Sequence, residues 1–291
     1  MRELAMRDRV GLGWRGELAA GILERLDSID VLEVIVEDWM RKPLKELRAL
    51  RTLADACPLV LHGVAMGLAS SIPVEVARLE RMARLFEAAR PIAWSEHLAF
   101  VRAGGFEIGH LAAPPRTLAT VDGAIANLER AWRIVGSGPA VENIATLIDP
   151  PSSTLDEGEW TRAIVEGARV PMLLDLHNLY ANAVNFGIEP ARLLASMPLD
   201  QVGMVHLSGG RWIEHAGERR LLDDHVHDPP EPVYELLEAL AVRVPQPLTV
   251  IVERDGRFPS MDALLGQVDR ARQALARGRA AAQPGGMRQA A

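Results

Sequence analysis

Histidines, aspartates and glutamates recur along this chain at the ends of short apolar runs. The runs close as Glu33-Val-Ile-Val-Glu37, Leu-Val-Leu-His62, Trp94-Ser95-Glu96-His97, Ala-Val-Glu142-Asn143, Leu-Leu-Asp175-Leu-His177-Asn178, Met-Val-His206 and Val-Ile-Val-Glu253-Arg254-Asp255. A charge buried at such a place is costly unless it is paired or bound to a metal. Five of the eight histidines (His62, His97, His177, His206 and His225) fall at or just beyond these ends. His, Asp, Glu and Asn without Cys form a hard-to-borderline donor set, suited to iron, manganese or zinc. If Glu142, Asp175, Asp223 and Glu253 converge, one divalent ion leaves the group two charges short of neutral, whereas two ions balance it. Two or three metals with bridging carboxylates is therefore the better physical account. The histidines then act as neutral ligands, each oriented by its other ring nitrogen.

Each residue also has a plainer reading. A lone strand-end histidine is more often a hydrogen-bonded core residue than a ligand. Glu253-Arg254-Asp255 taken alone reads as an ion-pair cluster, and Glu33 reads as a structural partner beneath the site. The coincidence carries the weight, because packing alone does not explain seven runs that end alike.

The runs that position these residues cover 10–14, 31–37, 58–62, 92–96, 139–143, 170–175, 201–207 and 248–253. They are continuous rather than alternating and mostly rich in Val, Ile and Leu, as strands buried on both faces are. Helical patterns lie between them, at 17–26, 44–56, 74–89, 118–135, 156–166, 190–196, 232–242 and 261–276. Strict alternation predicts parallel pairing and an α/β fold, a closed (β/α)8 barrel, with an open doubly wound sheet as the runner-up. In a barrel the C-terminal strand ends converge on one mouth, where active sites sit. No linker interrupts the series, so residues 1–277 read as one barrel domain, and 278–291, mostly Ala, Gln, Pro and Gly around two Arg, as a disordered tail.

The chain is 291 residues long, 48% hydrophobic and 24% charged, which is globular rather than disordered. A formal net charge of −7 argues against a nucleic-acid-binding surface. The single Cys57 supports neither a disulfide framework nor a cysteine metal site, which fits a reducing cytoplasm. Residues 1–9 lack the apolar core of a signal peptide, and no apolar run approaches the roughly 20 residues of a membrane helix. A soluble cytoplasmic protein with neither membrane nor nucleic acid as partner is expected. Gly11-Leu-Gly13-Trp-Arg-Gly16 matches a dinucleotide fingerprint literally, but no proper strand precedes its first glycine. Ser95 and Ser208 lack a Gly-x-Ser-x-Gly elbow. Cys57 reads as inert core.

The run Asp175-Leu-His177-Asn178-Leu-Tyr180-x-Asn182-x-x-Asn185-x-Gly187 resembles the multinuclear non-heme iron-dependent oxidative enzymes, the MbnB-like peptide-modifying oxidases of methanobactin-type biosynthesis. The resemblance continues in register from about residue 11 to about 256. It takes in Gly11-Leu-Gly-Trp-Arg15, His62-Gly63-Val64, Ser95-Glu96-His97-Leu98, Val141-Glu142-Asn143, His206-Leu-Ser-Gly209, Asp223-Asp-His225 and Glu253-Arg254-Asp255. It implies a xylose-isomerase-like TIM barrel holding two or three irons in mixed Fe(II)/Fe(III) states. It also implies dioxygen as co-substrate and a Cys-containing, ribosomally synthesised precursor peptide as substrate, with a separate partner protein presenting that peptide. His62, His97, Glu142, Asp175, His206, Asp223, His225 and Glu253 match the family's ligand positions. His177 and Asn178 match residues lining or ligating the same cluster, and Arg254 and Asp255 lie one step beyond a ligand. Two departures bear on the substrate pocket. Ile35-Val-Glu37-Asp38 stands where the family has a His two residues before Glu-Asn, and His206-Leu-Ser-Gly209-Gly210 lacks a final His. The same ligand set also suits a divalent-metal sugar isomerase or phosphodiesterase-type hydrolase on a related barrel, or a non-catalytic metal-containing peptide-binding protein.

Overall fold

The structure, a computed structural model, describes residues 7–103, 106–215 and 217–283. Eight parallel strands close a barrel: Arg9–Gly13, Leu32–Ile35, Leu59–Gly63, Ala93–His97, Ala140–Glu142, Met172–Asp175, Val202–Leu207 and Thr249–Val252. They follow one another round the cylinder in sequence order, and the first pairs with the last. Each is buried nearly throughout because helices cover the outside and side chains fill the inside. The α/β barrel expected from the alternation is the fold observed.

Successive inward-facing side chains of a strand are two residues apart, and here that spacing divides the interior into two layers. Val31, Val60, Ala140, Leu173, Met204 and Ile251 form an apolar cluster inside the barrel, separate from the main core. Two residues further along the same strands stand Glu33, His62, Glu142, Asp175, His206 and Glu253, all buried. An apolar floor thus carries an ionisable layer directly above it. The first strand contributes glycines instead. A Cβ on Gly11 would collide with the Val31 carbonyl, so this glycine serves close strand packing and not a nucleotide phosphate.

Three elements depart from the alternating pattern. The run after Asp175 is not a strand tail but a helix, Leu176–Phe186, capped by Asp175, whose carboxylate accepts the Asn178 amide at 2.6 Å. Its asparagines hide the helical period from a hydrophobicity reading, because they face loop backbone instead of solvent. Asn178 donates to the Asn143 carbonyl, Asn182 donates to Ile144 and accepts from Thr146, and Asn185 does both with Leu221. Two antiparallel hairpins also rise beyond strand ends, Phe100–Ala103 with Phe106–Ala112 and Gly210–His215 with Glu218–Asp223. The last helix, Met261–Ala282, continues past the expected boundary at 277, and the remainder of the expected tail, 284–291, lies outside the described residues. No helix among the described residues is long and apolar enough to cross a membrane.

Candidate metal centre

Strand register sets the first contacts. His97 lies opposite Glu142, and Asp175 opposite His206, on neighbouring strands. Glu142 then faces two ways. Its Oε2 lies 3.5 Å from His62 Nε2 and 3.3 Å from His97 Nε2, and its Oε1 lies 3.3 Å from His206 Nδ1. His206 Nδ1 is also 3.0 Å from Glu253 Oε2. One donor atom each from His62, His97 and Glu142 lies within 4.8 Å of the others, as does one each from Glu142, Asp175, His206 and Glu253. The two sets share Glu142.

The rings are anchored on their far sides. His62 Nδ1 meets Ser95 Oγ at 2.8 Å, His97 Nδ1 the Gly63 carbonyl at 3.3 Å, and His206 Nε2 the Glu33 carboxylate at 2.9 Å. Each anchor leaves the opposite nitrogen for the centre, the arrangement in which outer partners orient metal ligands. Glu33 is therefore the partner beneath the site that its mid-strand place suggests, although its carboxylate also lies within ligand distance of His62 and His206. A chain of paired side chains adjoins these two. Asp223 Oδ1 binds His177 Nδ1 at 2.8 Å, and Asp223 Oδ2 lies 2.9 Å from His225 Nε2. His225 Nδ1 is in turn 3.2 Å from Asp255 Oδ2 and 3.7 Å from Glu253 Oε2.

The donor set fits metal ions by a specific test. Glu142 Oε2, Asp175 Oδ2, His206 Nδ1, His225 Nε2 and Glu253 Oε2 are all buried and have no hydrogen-bond partner. Native interiors leave few such atoms, and here they gather in one place. His206 Nδ1 lies close to two carboxylates yet is aimed along a hydrogen bond to neither, as expected of a lone pair directed at a cation between them.

Taken alone, the side chains share protons in place of metal charge. Burial opposes charge on His97, yet Glu142 and Glu96 push its pKa up to about 9. Burial likewise opposes charge on His206 and His225, but Glu253, with Glu33 for the former and Asp223 for the latter, holds both well above the usual imidazole value. Glu142 and Glu253 are held low, against burial, by the neighbouring rings. Burial, added to the charges of Glu142 and Asp223, drives Asp175 well above the ordinary carboxylate range. His62 is lowered by burial and stays a neutral donor.

Sequence reading and structure part at several residues. Arg254 was expected just behind a ligand; its guanidinium instead turns to Asp228 and to the Gly256 and Arg257 carbonyls, fastening that loop. Asn178 reaches the rim, where it joins His97, Asp223 and His225 in lining a cavity of about 460 Å³. Glu37 stays outside the cluster and accepts the Val64 and Ala65 amides, with burial and Glu96 raising it to about 7. Gly210, where the family pattern has histidine, has no room for a side chain: a Cβ would strike the Leu222 carbonyl and sit 3.0 Å from His177 Nε2. His227 pairs with Asp224, and Cys57 is buried core whose thiol burial lifts to about 11.

Arg15 was not among the expected site residues. Its guanidinium binds Asp255 Oδ1 through Nε at 2.8 Å, so Arg15, Asp255 and His225 form a relay that leaves His225 Nε2 facing inward. The pair Gly13 and Arg15, spaced as inward residues of the first strand, is the signal that points to it. Asp255→Ala is expected to weaken metal binding about 10- to 100-fold, measured by competition with a chromophoric chelator. Unchanged affinity would remove Asp255 from the outer sphere.

A family model described as RiPP precursor modification enzyme MbnB/TglH/ChrH matches residues 9–276. A UPF0276 protein of Streptomyces avermitilis is 36% identical over 272 residues, covering 91% of this chain and 54% of that relative, so the chain spans about half of its length. A UPF0276 protein of Paraburkholderia phytofirmans is 31% identical over 264 residues, covering 90% of this chain and 86% of its own. Among solved structures, the IOLI protein with a binding zinc atom superposes with a TM-score of 0.61 at 13% identity, covering 95% and 99% of the two chains. D-psicose 3-epimerase from Clostridium cellulolyticum H10 gives 0.58 at 10% identity, covering 94% and 99%. At these identities the structural likeness establishes the xylose-isomerase-like barrel fold and nothing further.

Proposed function

This chain belongs to the MbnB/TglH/ChrH family of RiPP precursor modification enzymes, and on that ground we propose that it is a multinuclear iron oxidase. Its substrate is a ribosomally synthesised precursor peptide, in which a cysteine is the reductant and dioxygen the oxidant. The observation that carries the reading is Glu142, a buried carboxylate shared between two adjoining donor sets, one of whose members, His97, lines an open cavity. His62, His97 and Glu142 would hold one iron, and Glu142, Asp175, His206 and Glu253 would hold a second; Asp223 and His225, which match ligand positions of the family, adjoin these two sets. Iron bound there, in mixed Fe(II)/Fe(III) states, supplies an anchor that deprotonates the cysteine thiol and a path for its electrons to dioxygen.

The chain's own groups do the remainder. Ser95, Gly63, Glu33 and Asp255 fix the ring orientations, so the donor atoms need no rearrangement as ions load. The apolar layer beneath keeps water from reaching the centre from below. Asn178 lines the cavity beside His97, Asp223 and His225, its NH2 held by the Asn143 carbonyl and its Oδ1 left without a partner. A separate protein is assigned the presentation of the peptide.

A sugar isomerase on the same barrel is the rival reading. The cavity beside the ligands combines polar groups near the centre, His97, Asn178, Asp223 and His225, with an apolar side made by Phe100, Leu111, Ile144, Leu147 and Leu222, which suits peptide side chains. The test is reconstitution with Fe(II) under nitrogen, addition of a Cys-bearing precursor peptide, and mass spectrometry with and without air. A peptide mass that changes only with both iron and dioxygen is expected. An unchanged mass with both present excludes the oxidase.

A further inference from the structure

The cavity over the centre is larger than one cysteine side chain needs. Its volume, about 460 Å³, lies within the roughly 300–1,000 Å³ of sites that enclose whole small ligands. Its floor is continuous with the donor set through His97, Asp223 and His225. Away from the floor the wall is mostly apolar: Phe100 on the first hairpin, Leu147 and Ile148 on the loop after the fifth strand, Leu221 and Leu222 on the second hairpin, with His110 and Thr146 among them. No Lys or Arg lines it among the described residues.

Two of these residues face solvent although they are large and apolar, Ile148 at 69% exposure and Leu147 at 38%. The loop that presents them is tied to the helix Leu176–Phe186 and to itself by hydrogen bonds. Asn182 accepts the Thr146 amide at 2.8 Å, and Thr146 Oγ1 donates to the Ile148 carbonyl at 2.7 Å. Exposed apolar groups on a fixed loop beside a reactive centre mark a binding surface. Asp223, the one carboxylate on the floor, is already engaged by His177 and His225 and has no free face for a substrate cation.

We propose that this wall selects the neighbour of the reacting residue: the cleft takes an uncharged, apolar side chain adjacent in sequence to the substrate cysteine. The assignment rests on the peptide-oxidase reading and narrows it to a class of sequence. A charged neighbour would lose its hydration among Leu147, Ile148 and Leu222, where no lysine, arginine or unengaged carboxylate among the described residues lines the cavity.

The test is calorimetry on the iron-loaded protein under nitrogen, so that binding is read without turnover. The probes are N-acetyl-Leu-Cys-amide, N-acetyl-Cys-Leu-amide, the two corresponding Asp peptides, and D-fructose. At least one leucine peptide is expected to bind about 10- to 100-fold tighter than its aspartate counterpart, the range set by burying one aliphatic side chain. Ile148→Lys, on an exposed loop position, is expected to shrink or invert that ratio while iron content stays at the wild-type level. Equal binding of leucine and aspartate peptides would overturn the neighbour preference and leave the peptide reading standing. Binding of D-fructose with no binding of any cysteine peptide would overturn both.

Discussion

Glu142→Gln is expected to abolish metal loading. Glu142 is the shared member of the two donor sets, with one oxygen toward His62 and His97 and the other toward His206. The amide keeps the volume but loses the charge, and its NH2 end cannot ligate. Loss of an outer partner alone costs about 10- to 100-fold in metal affinity, so removal of the shared ligand should exceed 100-fold. Iron measured by elemental analysis after reconstitution should fall close to zero, and peptide modification should be undetectable. The variant also removes the counter-charge of buried rings, which destabilises the apoprotein by about 3–5 kcal/mol. Glu142→Asp, which retains charge, separates this folding effect from ligand loss. Wild-type iron content in the Gln variant would show that Glu142 is not a ligand.

Metal affinity is expected to rise steeply with pH between about 6 and 9. The sign follows from the side-chain protonation. His97, His206 and His225 have raised values in the folded chain, His97 reaching about 9. Their protons therefore stabilise the apoprotein fully below the unfolded imidazole value of about 6.5, and that contribution is lost as pH rises through the folded values. Glu142 and Glu253 are depressed, and their contribution is lost only in acid. Asp175, raised by burial and its acidic neighbours, opposes folding once pH passes the ordinary carboxylate range. The apoprotein should thus be most stable in mild acid and weaken toward pH 9. Metal ions displace those same protons, so each proton released tightens the apparent Kd about tenfold per pH unit. Chelation should lower the melting temperature little at pH 6 and most at pH 8.5. At free metal about 1,000 times Kd the stabilisation is about 4 kcal/mol. A chelation effect that does not change with pH would separate these histidines from the metal.

The legible part of the site is the part that strand periodicity controls. An apolar residue, a gap and an ionisable residue repeat as Val60-x-His62, Ala140-x-Glu142, Leu173-x-Asp175, Met204-x-His206 and Ile251-x-Glu253. The sequence shows these residues as the ends of apolar runs; inward-facing positions of a strand have that period, and the fold places them in one layer. The helix Leu176–Phe186 was obscured because Asn178, Asn182 and Asn185 replace hydrophobic contacts with hydrogen bonds to loop backbone. The hairpins were obscured because the first leaves most of its second strand in solvent and lacks an inward apolar run. The Gly104-Gly105 pair within it was an available turn signal.

By itself the sequence determined which ionisable residues end seven of the strands and that the ends of a parallel barrel share one mouth. Those properties follow from local hydrophobicity and the common direction of parallel strands. Tertiary structure alone decided the partners: Glu33 behind His206 across 173 positions, Arg15 holding Asp255 across 240, Arg254 turned away, and Gly210 pressed against His177. Such pairings depend on how far neighbouring strands are staggered when the cylinder closes and on the rotamer each ring adopts against its anchor. Neither quantity is carried by any short stretch of chain.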